Sequence, residues 1–260
     1  MAERYGTHEN EAGIERERLA MLAAVRDPKT FAVFERLGVA KGMHVLEVGA
    51  GTGSVSGWLS QRVGDGGKVL SIDIDLQFHA DMPDNVEIKK LDIENESIPQ
   101  EKYDIIHARA VLQHLPSREE VIPKLIQGLK PGGWLVLEDG QFVGFGEQSL
   151  VEPYKTIHQI MAAGSQEKWR DPNFGLHILD RFRANGLTEL DVIGDVWAMR
   201  PNEPSGEWWF LALERAIPRL VEAGLMTSDD QQNVLEQVRE PSFVMISPVS
   251  IITIGRKPIT

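Results

Sequence analysis

Cysteine is absent from all 260 residues, and that omission removes disulfides, thiolate nucleophiles and thiolate metal sites. It also excludes nucleobase chemistry that runs through a cysteine adduct. Positive charge is scarce: 27 Lys and Arg stand against 39 Asp and Glu, a formal net charge of −12. Nucleic-acid binding draws much of its affinity from basic side chains on phosphates, and here they form no run longer than scattered pairs. A nucleic-acid partner is therefore not expected. No apolar run approaches the roughly 18 residues that a bilayer span needs, so no membrane partner is expected either. Met1-Ala2-Glu3-Arg4-Tyr5 lacks a basic segment leading into an apolar core. No secretory signal is read there, and the cytoplasm is the default location.

What remains is an ordinary globular composition, 42% hydrophobic and 25% charged. It suffices for one large α/β domain or a domain with an insertion. The most informative stretch is Val45-Leu46-Glu47-Val48-Gly49-Ala50-Gly51-Thr52-Gly53. An apolar strand carrying an acid runs into a turn with glycine at every second position, and helix-like Ser54–Val63 follows. Glycines at such a junction let the backbone approach a ligand, and a helix N-terminus offers free N–H groups to an anion. A dinucleotide fingerprint, G-x-G-x-x-G, would need glycine at position 54, where Ser54 stands.

Hydrophobic periodicity predicts a helix over residues 8–26, stopped by Asp27-Pro28, and another over Lys29–Leu37. Strands are expected at Met43–Val48, Lys68–Ile74, Val86–Lys90, Tyr103–Ala108 and Trp134–Glu138. Ser117-Arg118-Glu119-Glu120 reads as a capping box for a helix to Leu129, and Lys130-Pro131-Gly132-Gly133 as a sharp turn. Asp75 reads as a helix N-cap or a surface residue. Helices are expected over Gln148–Ala163, His177–Ala184, Ser205–Ala223 and Ser228–Glu240, with strands at Leu190–Met199 and Val249–Ile254. Alternating strands and helices imply parallel pairing through right-handed crossovers.

Four stretches carry a family resemblance. The glycine turn resembles motif I of the class I S-adenosylmethionine (SAM) dependent methyltransferases, E/D-x-G-x-G-x-G. Tyr103-Asp104-Ile105-Ile106-His107-Ala108-Arg109-Ala110-Val111-Leu112-Gln113-His114-Leu115 is similar to the family's F-D-x-V-x-x-x-x-x-L-x-H-L pattern. Leu129-Lys130-Pro131-Gly132-Gly133 is similar to its L-K-P-G-G turn, and Leu91-Asp92-Ile93 occupies the place of its adenine-binding acid. The resemblance covers roughly residues 40–140. It implies a Rossmann-like, doubly wound, mostly parallel seven-stranded α/β sheet with helical insertions forming a lid. The whole chain, 1–260, is then one methyltransferase domain with a SAM-binding core at 40–140. N-terminal helices at 1–38 and additions at 145–187 and 203–240 shape the acceptor pocket.

The same resemblance implies residue roles. Glu47, Gly49, Ala50, Gly51 and Gly53 hold the methionine half of SAM, and Asp73 with Ile74 holds the ribose. Asp73 lies 20 residues after Gly53, and a carboxylate there can accept from both ribose hydroxyls. The plain alternative is a solvated acid at a strand end. Asp92 and Ile93 face the adenine, unless Asp92 merely forms a turn. The backbone at Ala108 and Arg109 lies beside the cofactor's amino group.

His114 and His158 are the candidate general bases, each with an ordinary structural or surface histidine as the bland reading. His107 sits within a strand, where a chemical role is least expected. Acceptor walls are expected from Tyr5, Arg109, Gln113, Gln141, Phe142, Tyr154, His158, Trp169 and Trp197, although aromatics at helical spacing more often form core. Glu138 and Asp139 follow strand five, but adjacent acids point in different directions, so no metal is expected.

The reading is SAM-dependent methylation of O or N on a small organic molecule, in secondary metabolism, with S-adenosylhomocysteine as product. A homodimer is allowed for. The rivals are an NAD(P)-dependent oxidoreductase and a SAM-fold protein with a non-methylating role.

Overall fold

The structure is a computed structural model and describes residues 9–79, 81–141, 155, 171–222, 224 and 226–259. In chain order the strands are β1 (His44–Val48), β2 (Lys68–Asp73), β3 (Val86–Lys90), β4 (Tyr103–Arg109), β5 (Leu129–Gln141), β6 (Thr188–Asp195), β7 (Ala198–Met199), β8 (Met245–Ile246) and β9 (Val249–Arg256). The described helices are α1 (Glu9–Arg36), α2 (Ser54–Val63), α3 (Arg118–Gly128), α4 (Ile178–Ala184), α5 (Pro204–Glu222) and α6 (Ser228–Gln237). A seven-stranded sheet runs β3-β2-β1-β4-β5-β9-β6, and β7 pairs with β8 separately. The pairs β1·β2, β1·β4, β2·β3 and β4·β5 are parallel, whereas β6·β9 is antiparallel. This is the expected Rossmann-like architecture.

Two compact units make up the chain: residues 27–141, 169–195 and 250–260 hold the large sheet, and residues 1–26, 142–168 and 196–249 form the other. In the sheet unit, strand alternation sorts side chains into two apolar layers. Val45, Val69, Ile105 and Val136 pack with Val33 and Phe34 of α1 and Val55, Leu59 and Val63 of α2. Leu46, Ile72, Ile106 and Leu135 pack on the opposite side with Ile122 and Leu125 of α3 and Ile178 and Phe182 of α4. Each such side chain taken fully from water contributes about 1.5–3 kcal/mol before entropy is counted. Strands buried on both faces explain why β1 and β4 read as nearly continuous apolar runs. The second unit has its own core, in which Met199, Trp209, Leu213, Ile217, Val234, Phe243 and Met245 are buried.

Several local expectations are corrected. Pro28 does not end a helix, because α1 runs unbroken through it. A proline ring costs one backbone hydrogen bond, and the turns on either side bury Ala23, Val33 and Phe34 against that cost. Ser117 precedes α3 without a side-chain cap bond. Its hydroxyl and N–H instead both donate to Glu94, at 2.7 and 3.0 Å. Asp75 caps a turn rather than a helix, accepting the Gln77 N–H at 3.1 Å. The Lys130–Gly133 turn lies inside β5 as an irregularity: partners step from Tyr103↔Leu129 to Ile105↔Trp134, and Gly132 takes φ 79°. Leu190–Met199 divides into β6 and β7, and the short β8 carries too little periodicity to read. The expected helix Gln148–Ala163 lies outside the described residues apart from Lys155.

Candidate functional site

Parallel pairing brings the carboxyl ends of β1, β2, β4 and β5 to one edge of the sheet. Val48 lies level with Ile72 and Ala108, and Arg109 lies level with Glu138. Ligands of doubly wound folds bind beyond this edge. Gly49, Gly51 and Gly53 all leave it in the left-handed region, with φ of 71°, 55° and 80°. Gly49 and Ala50 donate their N–H groups to the Ile72 carbonyl, at 2.8 and 3.2 Å, which folds the turn back over β2. A Cβ at position 49 would come within 2.2 Å of Val111 Cγ2, so glycine is required there for space as well as for φ.

Asp73 ends β2 and faces this turn. Its carboxylate accepts the Gly51 N–H at 2.9 Å and the Asp75 N–H at 3.1 Å. Burial pushes the Asp73 carboxyl above its ordinary range, against these backbone donors. The Asp73 carbonyl accepts the Leu91 N–H at 2.9 Å and so fixes the start of the next loop to the same place. In that loop Asp92 accepts the Glu94 N–H at 3.0 Å and the Asn95 amide at 2.8 Å, while Ile93 is buried. Asp92 thus forms the turn that the plain alternative foresaw, and its backbone remains at the sheet edge.

Glu47 lies almost wholly buried on β1 and accepts the Ser56 hydroxyl from α2. Burial raises its carboxyl, partly offset by His107, Ser56 and Arg109. His107 stands in register with Glu47 across β1·β4 and is closed off from solvent. Its Nε2 lies 3.1 Å from Glu138 Oε1 and its Nδ1 3.9 Å from Glu47 Oε1. The Arg109 guanidinium donates to Asp27 at 2.7 Å and to Thr30 at 3.0 Å, both on α1. Ser54, the residue that breaks the dinucleotide pattern, also donates to Asp27, at 3.3 Å.

Glu47, Gly49, Ala50, Gly51, Gly53, Asp73, Ile74, Asp92, Ile93, Ala108 and Arg109 therefore share one end of one sheet. Beyond β4, Gln113 and His114 form a single 3-10 turn, where their side-chain Nε2 atoms lie 3.2 Å apart. Gln113 is buried and its carbonyl accepts the Asp171 N–H at 2.8 Å. Gln141 closes β5. Trp197 belongs to the other unit, where its ring meets Trp208 edge-on at 6.5 Å and its backbone exchanges hydrogen bonds with Ser247. Tyr5, Phe142, Tyr154, His158 and Trp169 lie outside the described residues.

The meeting of Glu47 with His107 and Glu138, and the hold of Asp27 and Thr30 of α1 on Arg109, are what sequence reasoning missed. The available signal was positional: Glu47 and His107 each end an otherwise apolar alternation. Their meeting depended on register, which sequence did not supply. Among the described residues, no helix is long and apolar enough to cross a membrane, and no group of three His, Asp or Glu side chains could hold a metal ion.

Comparison with known proteins adds to this geometry. The profile of the family described as "Methyltransferase domain" matches residues 18–193. The methyltransferase str3 of Strobilurus tenacellus is 33% identical over 151 residues, covering 57% of this chain and 54% of that protein. The chain thus spans about half the length of this curated relative. Among solved structures, the [4+2]-cyclase SpnF aligns with a TM-score of 0.55 at 16% identity, over 90% of this chain and 82% of that one. Phosphoethanolamine N-methyltransferase 2 of Haemonchus contortus, solved with phosphomonomethylethanolamine and S-adenosylhomocysteine, aligns with a TM-score of 0.52 at 14% identity. That alignment covers 89% of this chain and 52% of the nematode protein. At these identities the structural likeness speaks for the fold alone.

Proposed function

The chain belongs to the methyltransferase-domain family, and from that premise we propose that it transfers a methyl group from SAM to O or N of a small organic acceptor. The observation that carries the proposal is the glycine turn. Three left-handed glycines lie at the partly buried Asp73 carboxylate, which accepts the Gly51 N–H, with the buried Glu47 at the same sheet edge.

These residues suit SAM as a ligand. It bears an ammonium, a ribose diol and an adenine amine, each a donor, and Glu47, Asp73 and Asp92 are three acceptors spread along the edge. When bound, SAM supplies an electrophilic methyl on a sulfonium. Glu47 is assigned to the ammonium, Asp73 and Ile74 to the ribose, and Asp92 and Ile93 to the adenine. The backbone at Ala108 and Arg109 borders the amino-acid end. Binding would exchange Asp73's bonds to backbone N–H groups for charge-assisted bonds from the diol. Holding donor and acceptor in line can by itself supply a large part of a methyl-transfer rate. Among the described residues, His114 is the proposed base for an acceptor that must lose a proton.

An acidic chain without cysteine favours a small organic acceptor over nucleic acid. Amines belong in the acceptor panel because one fold neighbour is an N-methyltransferase, and secondary metabolism is the proposed setting. Incubation with SAM and a panel of phenols, alcohols and amines tests the proposal by mass spectrometry. The expected result is an acceptor gaining the mass of one methylene group, with matching release of S-adenosylhomocysteine. A SAM-fold protein without methylation is the second reading, favoured by the likeness to a cyclase. It predicts tight SAM binding with no turnover on any acceptor.

A further inference from the structure

The loop after β3 carries Asp92, Glu94 and Glu96 in close succession, and Lys124 of α3 lies against it. Among the described residues, Lys124 pairs with none of these carboxylates. Its ammonium donates instead to three backbone carbonyls of the loop, those of Ile93 at 2.5 Å, Glu94 at 3.2 Å and Glu96 at 2.9 Å. An ammonium has three N–H donors and no acceptor, so these bonds use its whole capacity and run in one direction only. The acids are engaged elsewhere. Glu94 receives the hydroxyl and N–H of Ser117, Glu96 accepts the Asp92 N–H at 2.9 Å, and Asp92 accepts the Asn95 amide at 2.8 Å.

The N–H groups of the loop are spent inside it. Those of Glu94, Asn95 and Glu96 all go to Asp92, at 3.0, 3.1 and 2.8 Å. From Asp92 to Glu96, the Ile93 N–H alone forms no such bond among the described residues. An adenine ring nitrogen is an acceptor that suits it. Ile93 is anchored on α3 twice, by its carbonyl on Lys124 and by its side chain, which is buried in one apolar layer with Val121, Ile122 and Leu125. Neither anchor uses the N–H. A loop places a binding group less exactly than a helix does, and here a packed helix lends the loop its rigidity.

We propose that Lys124 is a positioning residue for base recognition: by gripping three carbonyls of the loop it fixes the Ile93 N–H against the adenine ring of the cofactor. The inference rests on the SAM reading above and adds a residue from a helix that the resemblance leaves without a role. Loss of the ammonium would free three carbonyls at once and let the peptide groups around Ile93 rotate. Contacts to the base would then blur, while those to the ribose and the amino-acid end would persist.

Calorimetry on the full chain with S-adenosylhomocysteine and with S-inosylhomocysteine tests this. The second ligand carries a carbonyl in place of the amine and a proton on the adjoining ring nitrogen. The wild type is expected to favour the adenine ligand about a hundredfold, because the altered ring would set a donor against the Ile93 N–H. Lys124→Met is expected to lower that preference to about tenfold or less, by weakening the adenine ligand. Lys124→Arg, which keeps several donors, is expected to retain most of it. A lysine that merely stabilised the fold would, when lost, weaken both ligands by the same factor. A preference unchanged in Lys124→Met therefore overturns the proposal, as does a wild type that binds both ligands equally. Lys124→Gln makes the same comparison if Lys124→Met does not fold. A wild type that binds neither ligand removes the SAM reading, and this inference with it.

Discussion

The two units solve the burial of polar groups in opposite ways. In the sheet unit, burial lifts the carboxyls of Glu47 and Asp73 above their ordinary range. In the other unit, burial also pushes Glu15 upward, but the hydrogen bonds and charges of Arg18 and Arg215 outweigh it and hold Glu15 low. Glu15 accepts from Arg18 at 2.7 Å and from Arg215 at 2.7 Å, so its charge is matched by protein alone. Among the described residues, the hydrogen bonds to the Asp73 carboxylate come from backbone N–H groups. A carboxylate left under-compensated in the resting fold is where a cationic, hydroxyl-bearing ligand would recover the cost. A carboxylate already matched is structural.

Glycine substitutions give the largest contrast. Gly49 and Gly224 both take positive φ, but a Cβ meets Val111 at 2.2 Å at the first position and nothing within 4 Å at the second. Gly49→Ala is expected to cost roughly 3 kcal/mol and abolish cofactor binding, because strain and overpacking add. Gly224→Ala is expected to cost about 1–2 kcal/mol, from strain alone, and to leave binding unchanged. Urea unfolding and calorimetry read both.

Asp73→Asn comes next. Removing the charge from hydrogen bonds to the ribose diol is expected to weaken S-adenosylhomocysteine binding by about 1.5–3 kcal/mol, roughly ten- to a hundredfold. Arg215→Met should do the reverse in kind. It removes one of the two arginines that bind Glu15 among the described residues and is expected to cost about 1 kcal/mol of stability with no change in affinity.

The smallest effect is a difference in pH slope near neutrality. Raised carboxyls make the ionised form a cost to the ligand-free fold. Amide exchange in the sheet unit should therefore slow as pH falls from neutrality through the folded values of Glu47 and Asp73, toward the unfolded values of about 4. Glu15 has the opposite sign: its contribution is complete above about pH 4.3 and is lost as pH falls through its lowered folded value. Comparing protection in the two units, corrected for intrinsic exchange, separates the trends.

The sheet unit was far more legible in the sequence than its neighbour, for a physical reason. Its determinants are local: Gly49, Gly51 and Gly53 must be glycines for φ, and Val69–Ile72 must be mostly apolar to bury both faces of β2. Such demands leave marks at fixed spacing. The Glu47–His107–Glu138 row depends on strand register between residues up to 91 positions apart, and no short pattern encodes that. Pro28 misled because a local rule yielded to packing on both sides of the helix. Trp197, read as an acceptor wall, packs edge-on with Trp208 in the second unit.

Amide NMR of the labelled chain during titration with S-adenosylhomocysteine tests the central claim most directly. The account predicts saturable shifts at Gly49, Gly51, Gly53, Ile74, Ile93 and Arg109, with Gly224 unmoved. Saturation elsewhere with these six amides unchanged, or no saturation at all, would contradict it.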